Sequence, residues 1–260
     1  MIEVTSGQLD AWIAAFFYPL ARILGLLATA PPFSNAAMPM RVRLALGLAV
    51  TFALAPALPT FPNIAPGSGA GLMLLAQQML IGLTMGFAMR LAIAAVDFAG
   101  EAIGLQIGLG FATFYDPDNT SQTPVIAEFV SILALLVLLS INGHLMILAT
   151  LGQSFYVLPV GGTSLASGTW SNMAHAGAII FASGLLLALP VVTAMLITNI
   201  AMGVLTRAAP QLNLFAVGFP VTLIGGFVIL ILTLGYLAVP MTQIFEHSLQ
   251  AMLGHFVQHR

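Results

Sequence analysis

The sequence contains no cysteine and no lysine, and only 5 % of its 260 residues are charged. Without cysteine, a disulfide framework and a thiolate metal site are both excluded. The six arginines leave a net charge of −2, so the basic surface that nucleic-acid binding requires is missing. So few charged side chains also provide too little polar surface to cover a soluble globule of this length.

What the sequence does contain is apolar, with 60 % hydrophobic residues and a mean hydropathy of +1.05. Six runs reach or approach the length of a membrane-spanning helix, about 17 to 25 residues. They are 11–30, 42–56, 72–96, 125–151, 174–203 and 214–239, of which the second is short. We therefore predict an all-α, membrane-associated protein whose long helices form hairpins, with proline- and glycine-rich connectors and no separate soluble domain.

Several of these runs contain residues that disturb helices. The sequence Asn-Gly-His at 142–144 interrupts the fourth run, Pro190 lies in the fifth, and the glycine pair at 225–226 breaks the sixth. In hydrocarbon each freed backbone group would cost several kcal/mol unless neighbouring protein satisfied it, so we expect protein neighbours. Close helix packing is also expected at glycines spaced four apart, which are Gly82 and Gly86, and Gly100, Gly104 and Gly108.

The third run carries a charged face. At about 100° per residue, Arg90, Asp97, Glu101, Gly104 and Gly108 fall within about 60° of one another. Because Arg90 and Asp97 are about 10 Å apart along the axis, each is expected to find a partner on another helix or in water. One interpretation is a helix leaving the bilayer with its carboxylates in solvent. We favour the other, a stripe of Arg90, Asp97 and Glu101 that faces a subunit seam or a hydrated passage.

The segment 110–122 gathers unusual polarity between two apolar runs. Irregular backbone at membrane depth is tolerated only where protein covers it or where it lines a water-filled cavity. The segment suits a flexible stopper that hinges at Gly104 and Gly108, although an ordinary long connector would also fit. It begins at Gly110 and holds bulky rings followed by a turn sequence, namely Phe111, Phe114, Tyr115, Asp116, Pro117, Asp118 and Asn119.

Enzyme chemistry finds little support in the sequence. Asp97 and Asp116 could imitate the carboxylate pair of an intramembrane aspartyl protease, but the second Gly-x-Gly-Asp context is missing. Ser154 and His144 are ten residues apart, about 80° from each other on an unbroken helix, which is poor geometry for a hydrolase pair. The sequence has neither an HExxH motif nor a GxxxxGK[ST] loop. We therefore expect no enzymatic activity and no cofactor.

The C-terminal segment combines histidines with an apolar stripe. His255 and His259 are spaced i, i+4 and could in principle share a metal ion, but a solvated helix face is the simpler interpretation, and we expect no metal. The opposing stripe predicts an amphipathic helix on a partner or membrane surface. The residues concerned are His247, His255 and His259 on one face and Phe245, Leu249, Met252 and Phe256 on the other.

Three blocks stand out in order along the chain. Residues 101–129 read EAIGLQIGLGFATFYDPDNTSQTPVIAEF, residues 142–159 read NGHLMILATLGQSFYVLP, and residues 207–226 read RAAPQLNLFAVGFPVTLIGG. Together with Arg22 and the proline pair at 31–32, they resemble the FliR family, the R subunit of the type III secretion export gate, over nearly the whole chain. The matching motif positions include Asn142, His144, Arg207, Pro210, Gln211, Asn213, Gly218 and Pro220.

This resemblance implies a hetero-oligomeric pore. Residues 1–171 would be similar to a FliP-like subunit and residues 172–260 to a FliQ-like helical hairpin. FliP-like and FliQ-like subunits would be the direct partners, with FlhB-like and FlhA-like export components nearby. In such an assembly the loop 110–122 acts as a plug, and unfolded protein substrates pass once it moves. The form of the third block favours a flagellar system, in the basal body at the bacterial inner membrane.

Two other functions stay open from the residues alone. A small-solute secondary transporter would show interrupted helices and a charged stripe, but it should also have matching breaks in two half-repeats. The breaks at 142–144 and at Pro190 do not correspond in this way. A membrane scaffold with the same neighbours but no gating role is the second alternative.

Overall fold

The computed structural model describes residues 6–110, 124–162, 168–209, 217–254 and 256, and these residues contain helices and no β-strand. This confirms the all-α prediction for the described part of the chain. A short 3-10 turn, Ala55–Ala57, follows the second helix. The α-helices are α1 (Ser6–Thr29), α2 (Met40–Leu54), α3 (Gly69–Ile107), α4 (Val125–Ser140), α5 (Gly143–Val157), α6 (Gly168–Ala176), α7 (Ala178–Ala208) and α8 (Phe219–Gly254).

The six predicted apolar runs correspond to six candidate membrane spans. By length and composition, five stretches qualify as single helices: Gly7–Thr29, Met40–Ala57, Gly69–Ile107, Met173–Ala208 and Phe219–Gly254. The sixth is the pair α4–α5, two helices that meet at an angle of 64°. The short second run corresponds to Met40–Ala57, which has the lowest mean hydropathy of the five, 1.4.

The bend between α4 and α5 lies at Asn142, as the sequence predicts. Asn142 has φ 56°, in the left-handed region that few residues other than glycine adopt. Its carbonyl oxygen accepts hydrogen bonds from the backbone N–H groups of Leu145 (2.9 Å) and Met146 (3.1 Å), so a new helix starts there. One left-handed residue therefore separates the end of α4 from the start of α5.

The predicted break at the glycine pair 225–226 is wrong, because α8 continues through both residues. A Cβ atom added to Gly226 would lie only 2.6 Å from Cγ1 of Ile107, so the missing side chain makes room for a neighbouring helix. Helix α7 likewise continues through Pro190. Gly226 thus marks a packing position, and neither this glycine pair nor Pro190 ends its helix.

The chain forms two compact units, each built from several segments. The described residues of 1–91, 142–176 and 245–260 form the first, and those of 92–141 and 177–244 form the second. The predicted division at residue 171 concerns similarity to other subunits, which the packing of one chain does not test. It therefore stays a prediction.

In the first unit, α1 and α3 cross at glycines. A Cβ atom on Gly25 would lie 2.5 Å from the carbonyl oxygen of Met79, and one on Gly82 would collide with the carbonyl of Arg22. Gly86 is equally close to α1, against Leu26. The two helix backbones therefore touch, which confirms the close approach that the spacing of Gly82 and Gly86 predicts.

The C-terminal apolar stripe belongs to the first unit. Its four residues are buried within this chain, so the expectation that the stripe covers a partner or membrane surface is wrong. An amphipathic pattern shows that a face is covered, and here the cover is the chain's own first unit. His247 is exposed, and His255 and His259 lie outside the described residues. The buried residues are Phe245, Leu249, Met252 and Phe256.

The later helices leave most of their apolar surface uncovered. Only 28 % of the apolar window in Met173–Ala208 and 17 % of that in Phe219–Gly254 is buried. Ile197, Leu232 and Tyr236 are each at least 64 % exposed. Apolar faces of this extent require lipid or another protein against them.

Candidate functional site

The candidate site lies where α3 ends and α4 begins, on either side of the predicted plug loop. We call residues 97–110 and 124–131 the stem, and both parts of it lie in the second unit. The structure gives the geometry of the stem and not that of the predicted plug. The predicted plug residues that lie outside the described residues are Phe111, Phe114, Tyr115, Asp116, Pro117, Asp118 and Asn119.

The first part of the stem, the C-terminal end of α3, ends at a glycine. Gly108 has φ +99°. The N–H of Leu109 donates to the carbonyl of Gly104 (3.1 Å), and the N–H of Gly108 donates to the carbonyl of Leu105 (3.1 Å). This pair of bonds is the Schellman motif, which needs a residue that tolerates positive φ at its centre. Gly108 therefore has a backbone conformation that favours glycine, and its role as a hinge stays a prediction.

The second part of the stem starts at a proline. Pro124 has φ −58° and ψ 120°, and its carbonyl accepts a hydrogen bond of 3.0 Å from the N–H of Glu128. Proline suits this position because the N–H groups at the start of a helix have no partner inside it. Glu128 lies in the first turn, where a negative charge is favourable to the helix dipole.

The two parts of the stem pack closely through small residues. A Cβ atom on Gly100 would collide with the backbone of Ala127, and one on Gly104 would lie 3.6 Å from Cβ of Ile126. The spacing of Gly100 and Gly104 thus serves helix packing, as predicted. Gly104 lies inside α3 and is buried, so its observed role is contact with Ile126, and its role as a hinge stays a prediction.

The charged stripe is divided by the structure. Asp97 is half-buried and accepts a hydrogen bond from the hydroxyl of Ser131 on α4, so it finds its partner on another helix as expected. Arg90 and Glu101 are exposed on this chain. The Asp97–Ser131 hydrogen bond adds a polar contact to the stem, and the position of the stripe at a lumen or a subunit seam stays a prediction.

The other motif positions lie on separate elements. Asn142 is at the bend, Arg207 is exposed in the last turn of α7, and Gly218 is buried just before α8. Pro220 is exposed in the first turn of α8. His144 is half-buried, and its Nδ1 has no hydrogen-bond partner among the described residues. Three further motif residues lie outside the described residues: Pro210, Gln211 and Asn213.

The structure also removes the hydrolase alternative. The Ser154 hydroxyl donates to the carbonyl of Leu151 (2.6 Å) and accepts a hydrogen bond from Nη1 of Arg22 (3.0 Å). Its proton is therefore already used, and His144 is not its partner. Among the described residues, no group of three or more histidine, aspartate or glutamate side chains could hold a metal ion.

One buried polar cluster is not predicted from the sequence, in which Arg22 stands out only as part of a family pattern. Arg22 is fully buried, with Nε 2.9 Å from Oε1 of Gln78 and Nη2 2.8 Å from the carbonyl oxygen of Leu158. Its guanidinium carbon lies 4.2 Å from the ring centroid of Phe155. An arginine in the middle of one apolar run and a glutamine in another would have been the available signal.

Comparison with known proteins gives consistent matches over most of the chain. The family model described as bacterial export proteins, family 1, matches residues 13–248. The chain is 47 % identical to the flagellar biosynthetic protein FliR of Escherichia coli (strain K12), covering 87 % of this chain and 86 % of that protein. It is 46 % identical to the FliR of Pectobacterium carotovorum subsp. carotovorum, covering 95 % and 93 %. With the FliR of Aquifex aeolicus (strain VF5) the identity is 30 %, over 99 % and 98 %.

The stem geometry predicts a specific disulfide. Because a Cβ atom on Gly104 would lie 3.6 Å from that of Ile126, the pair Gly104→Cys/Ile126→Cys should cross-link on mild oxidation. The native chain has no cysteine, so any disulfide is the engineered one. The matched control is Gly104→Cys/Val125→Cys, since Val125 is 74 % exposed and should not cross-link. Equal cross-linking of the two pairs, measured by mobility on a non-reducing gel, would contradict this packing.

Proposed function

We propose a function from the premise that this chain belongs to the bacterial export proteins, family 1, and is a member of the FliR family of flagellar biosynthetic proteins. It is thus a component of a bacterial flagellar export apparatus. The proposal is that it forms, with FliP-like and FliQ-like subunits, a pore through which unfolded substrates cross the inner membrane. The loop 110–122 would close that pore as a plug.

The observation that carries the proposal is the separation of the exposed apolar surface at the two ends of α3. This helix has 39 residues, and Leu72 and Leu105 are both exposed, 58 % and 70 % respectively. They are about 50 Å apart along the axis at 1.5 Å per residue. A hydrocarbon layer of about 30 Å covers only about 39 Å of helix, even at a tilt of about 40°. Lipid alone therefore leaves part of this surface uncovered, which supports a cover of other subunits.

The stem supports the plug. Its two parts are held together by the Asp97–Ser131 hydrogen bond and by the contact of Gly100 with Ala127. A loop with firmly packed roots can move while its roots stay in place, and Gly108 already has the backbone conformation of a sharp exit from the helix. In the closed state the rings of Phe111, Phe114 and Tyr115 would fill the bore and exclude water. Asp116 and Asp118 would stay hydrated.

The rest of the assembly follows from the family. Residues 1–171 would pack as a FliP-like part and 172–260 as a FliQ-like hairpin, so that the exposed faces of α7 and α8 meet related subunits. FlhB-like and FlhA-like export components would lie nearby. The chemistry that drives export would come from other components, since this sequence has no nucleotide-binding loop. The complex would lie in the flagellar basal body at the bacterial inner membrane.

Deletion of the loop tests the plug directly. Removal of residues 110–122 should make cells leak ions and small solutes several-fold faster than the parent, because nothing then fills the bore. Leakage is measured by uptake of a small membrane-impermeant dye. The same deletion in a strain without the FliP-like subunit is the control and should not leak, since no pore assembles. If a complex that carries the deletion assembles and does not leak dye, the plug proposal is wrong and the chain is a scaffold with no gating role.

The disulfide at the stem tests which part moves. If opening displaces only the loop, cells with Gly104→Cys/Ile126→Cys should keep at least about half of their export rate when the disulfide is formed. The reference is the export rate of the same cells before oxidation, and the reason is that a loop can move while its two ends stay in place. Secreted flagellar protein is quantified before oxidation, after oxidation and after reduction. Gly104→Cys/Val125→Cys is the control for the oxidant itself. Export that stops on oxidation and returns on reduction would mean that the stem must separate, and the loop-only opening would be wrong.

A further inference from the structure

The buried cluster around Arg22 has a feature that packing alone does not require. Its guanidinium is held by Gln78 of α3, by Ser154 and Phe155 of α5, and by the carbonyl of Leu158 just after α5. All of these described partners are uncharged. A cation buried without a counter-charge is held by the directions of its hydrogen bonds, because desolvation of the charge must be offset by well-placed acceptors.

The number of donors that are used explains why an arginine is needed. Of the five N–H donors of a guanidinium, four make the observed bonds: Nε and Nη2 donate to the same oxygen of Gln78, Nη1 to Ser154, and Nη2 also to Leu158. These acceptors come from two segments of the chain, α3 and α5 with its C-cap residue. A lysine ammonium is a single point charge and could not reach all three in a fixed plane.

The dependence between Arg22 and Gln78 is mutual. Oε1 of Gln78 accepts both bonds on that side, while Nε2 is buried with no partner in the described structure. Gln78 is fully buried, so without Arg22 both ends of its amide would be left without partners. Arg22 therefore fixes the direction of the Gln78 amide, and Gln78 fixes the plane of the guanidinium.

The cluster also completes the C-terminus of α5. Leu158 is the C-cap residue of α5, and the last carbonyl groups of a helix have no partner within the helix. Nη2 of Arg22 supplies a donor to the Leu158 carbonyl and brings a positive charge to the negative end of the helix dipole. Phe155, one turn earlier, holds the guanidinium against its ring.

We propose that Arg22 is a positioning residue, which sets the register at which α5 docks on α1 and α3. The proposal goes beyond the export function, since it concerns how the helices of the first unit adopt one packing arrangement instead of several. In a membrane, apolar side chains give helices little preference for one register over another, because lipid is equally apolar. The shape of the guanidinium, with acceptors on α3, on α5 and at the C-cap of α5, selects one register out of several.

Cross-linking can report the register of α5 without touching the cluster. A Cβ atom on Gly152 of α5 would lie 3.9 Å from Cδ2 of Leu54 at the end of α2. In the full chain, assembled in its membrane, Gly152→Cys/Leu54→Cys should be joined by a short bifunctional thiol reagent. A shift of α5 by one turn moves residue 152 by about 5.4 Å and takes it out of reach. The yield is expressed per molecule of membrane-integrated chain.

Three variants of the double-cysteine chain then distinguish a positioning role of Arg22 from a stabilising one. Arg22→Lys keeps the positive charge and loses the planar set of N–H donors. Arg22→Met together with Gln78→Met removes the buried cation and its amide partner together, and Ser154 keeps its hydrogen bond to Leu151. The Leu158 carbonyl, on a half-buried residue, loses its donor, but no buried charge is left unpaired, so this double variant should accumulate normally. In both backgrounds the cross-link yield should fall at least about fivefold, because the acceptor geometry that sets the register is gone. Arg41→Lys, at an exposed position, is the control and should keep the parent yield.

A parent-like yield in Arg22→Lys, or in a double variant that accumulates, would overturn the proposal, since the register would then be set by packing alone. A double variant that accumulates but fails to cross-link supports a positioning role over a stabilising one. If either variant does not accumulate, Ser154→Ala replaces it, because it removes one acceptor and keeps the guanidinium. Its yield should fall measurably, and an unchanged yield would likewise overturn the proposal.

Discussion

Exposed apolar side chains that lie farther apart along one helix than a bilayer's hydrocarbon can cover are the constraint on which the rest of this structure depends. Helix α3 has 39 residues, about 58 Å of helix, and carries exposed apolar side chains near both ends. Helices α7 and α8 leave most of their apolar faces uncovered. A chain of this kind is completed by contacts outside itself. Its membership in a family of flagellar export proteins agrees with a protein made to be part of an assembly.

The exposed apolar faces are directed outward, whereas the few polar side chains inside the chain fix the packing of its own helices. Arg22 joins α1, α3 and the end of α5, and Asp97 joins α3 to α4 through Ser131. Each contact lies within one compact unit. Since hydrocarbon gives apolar helices little reason to prefer one register, such directional contacts, with the glycine crossings, select the packing. The outward faces can then stay apolar for neighbouring subunits.

Local patterns in the sequence predicted the local features of the structure. Hydrophobic run length gave the six candidate spans, and the Asn-Gly-His sequence at 142–144 gave the bend, because both depend on neighbouring residues only. The break expected at 225–226 was wrong because Ile107, from a distant part of the chain, packs on Gly226. The apolar stripe that includes Phe245 indicated a covered face but not what covers it.

The Arg22 cluster joins residues up to 136 positions apart, and the periodicity of the sequence carries no information about contacts at such a separation. The predicted plug side chains lie outside the described residues and stay predictions.

The central claim is that protein, and not lipid alone, covers the two ends of α3. Photo-cross-linking in cells tests it most directly, with a photoreactive residue at Met73 (78 % exposed) or at Leu105 (70 % exposed). These positions are about 48 Å apart along the helix, so a bilayer of about 30 Å cannot cover both. The account predicts adducts with another protein subunit from at least one of the two positions. Lipid adducts alone from both positions would contradict it.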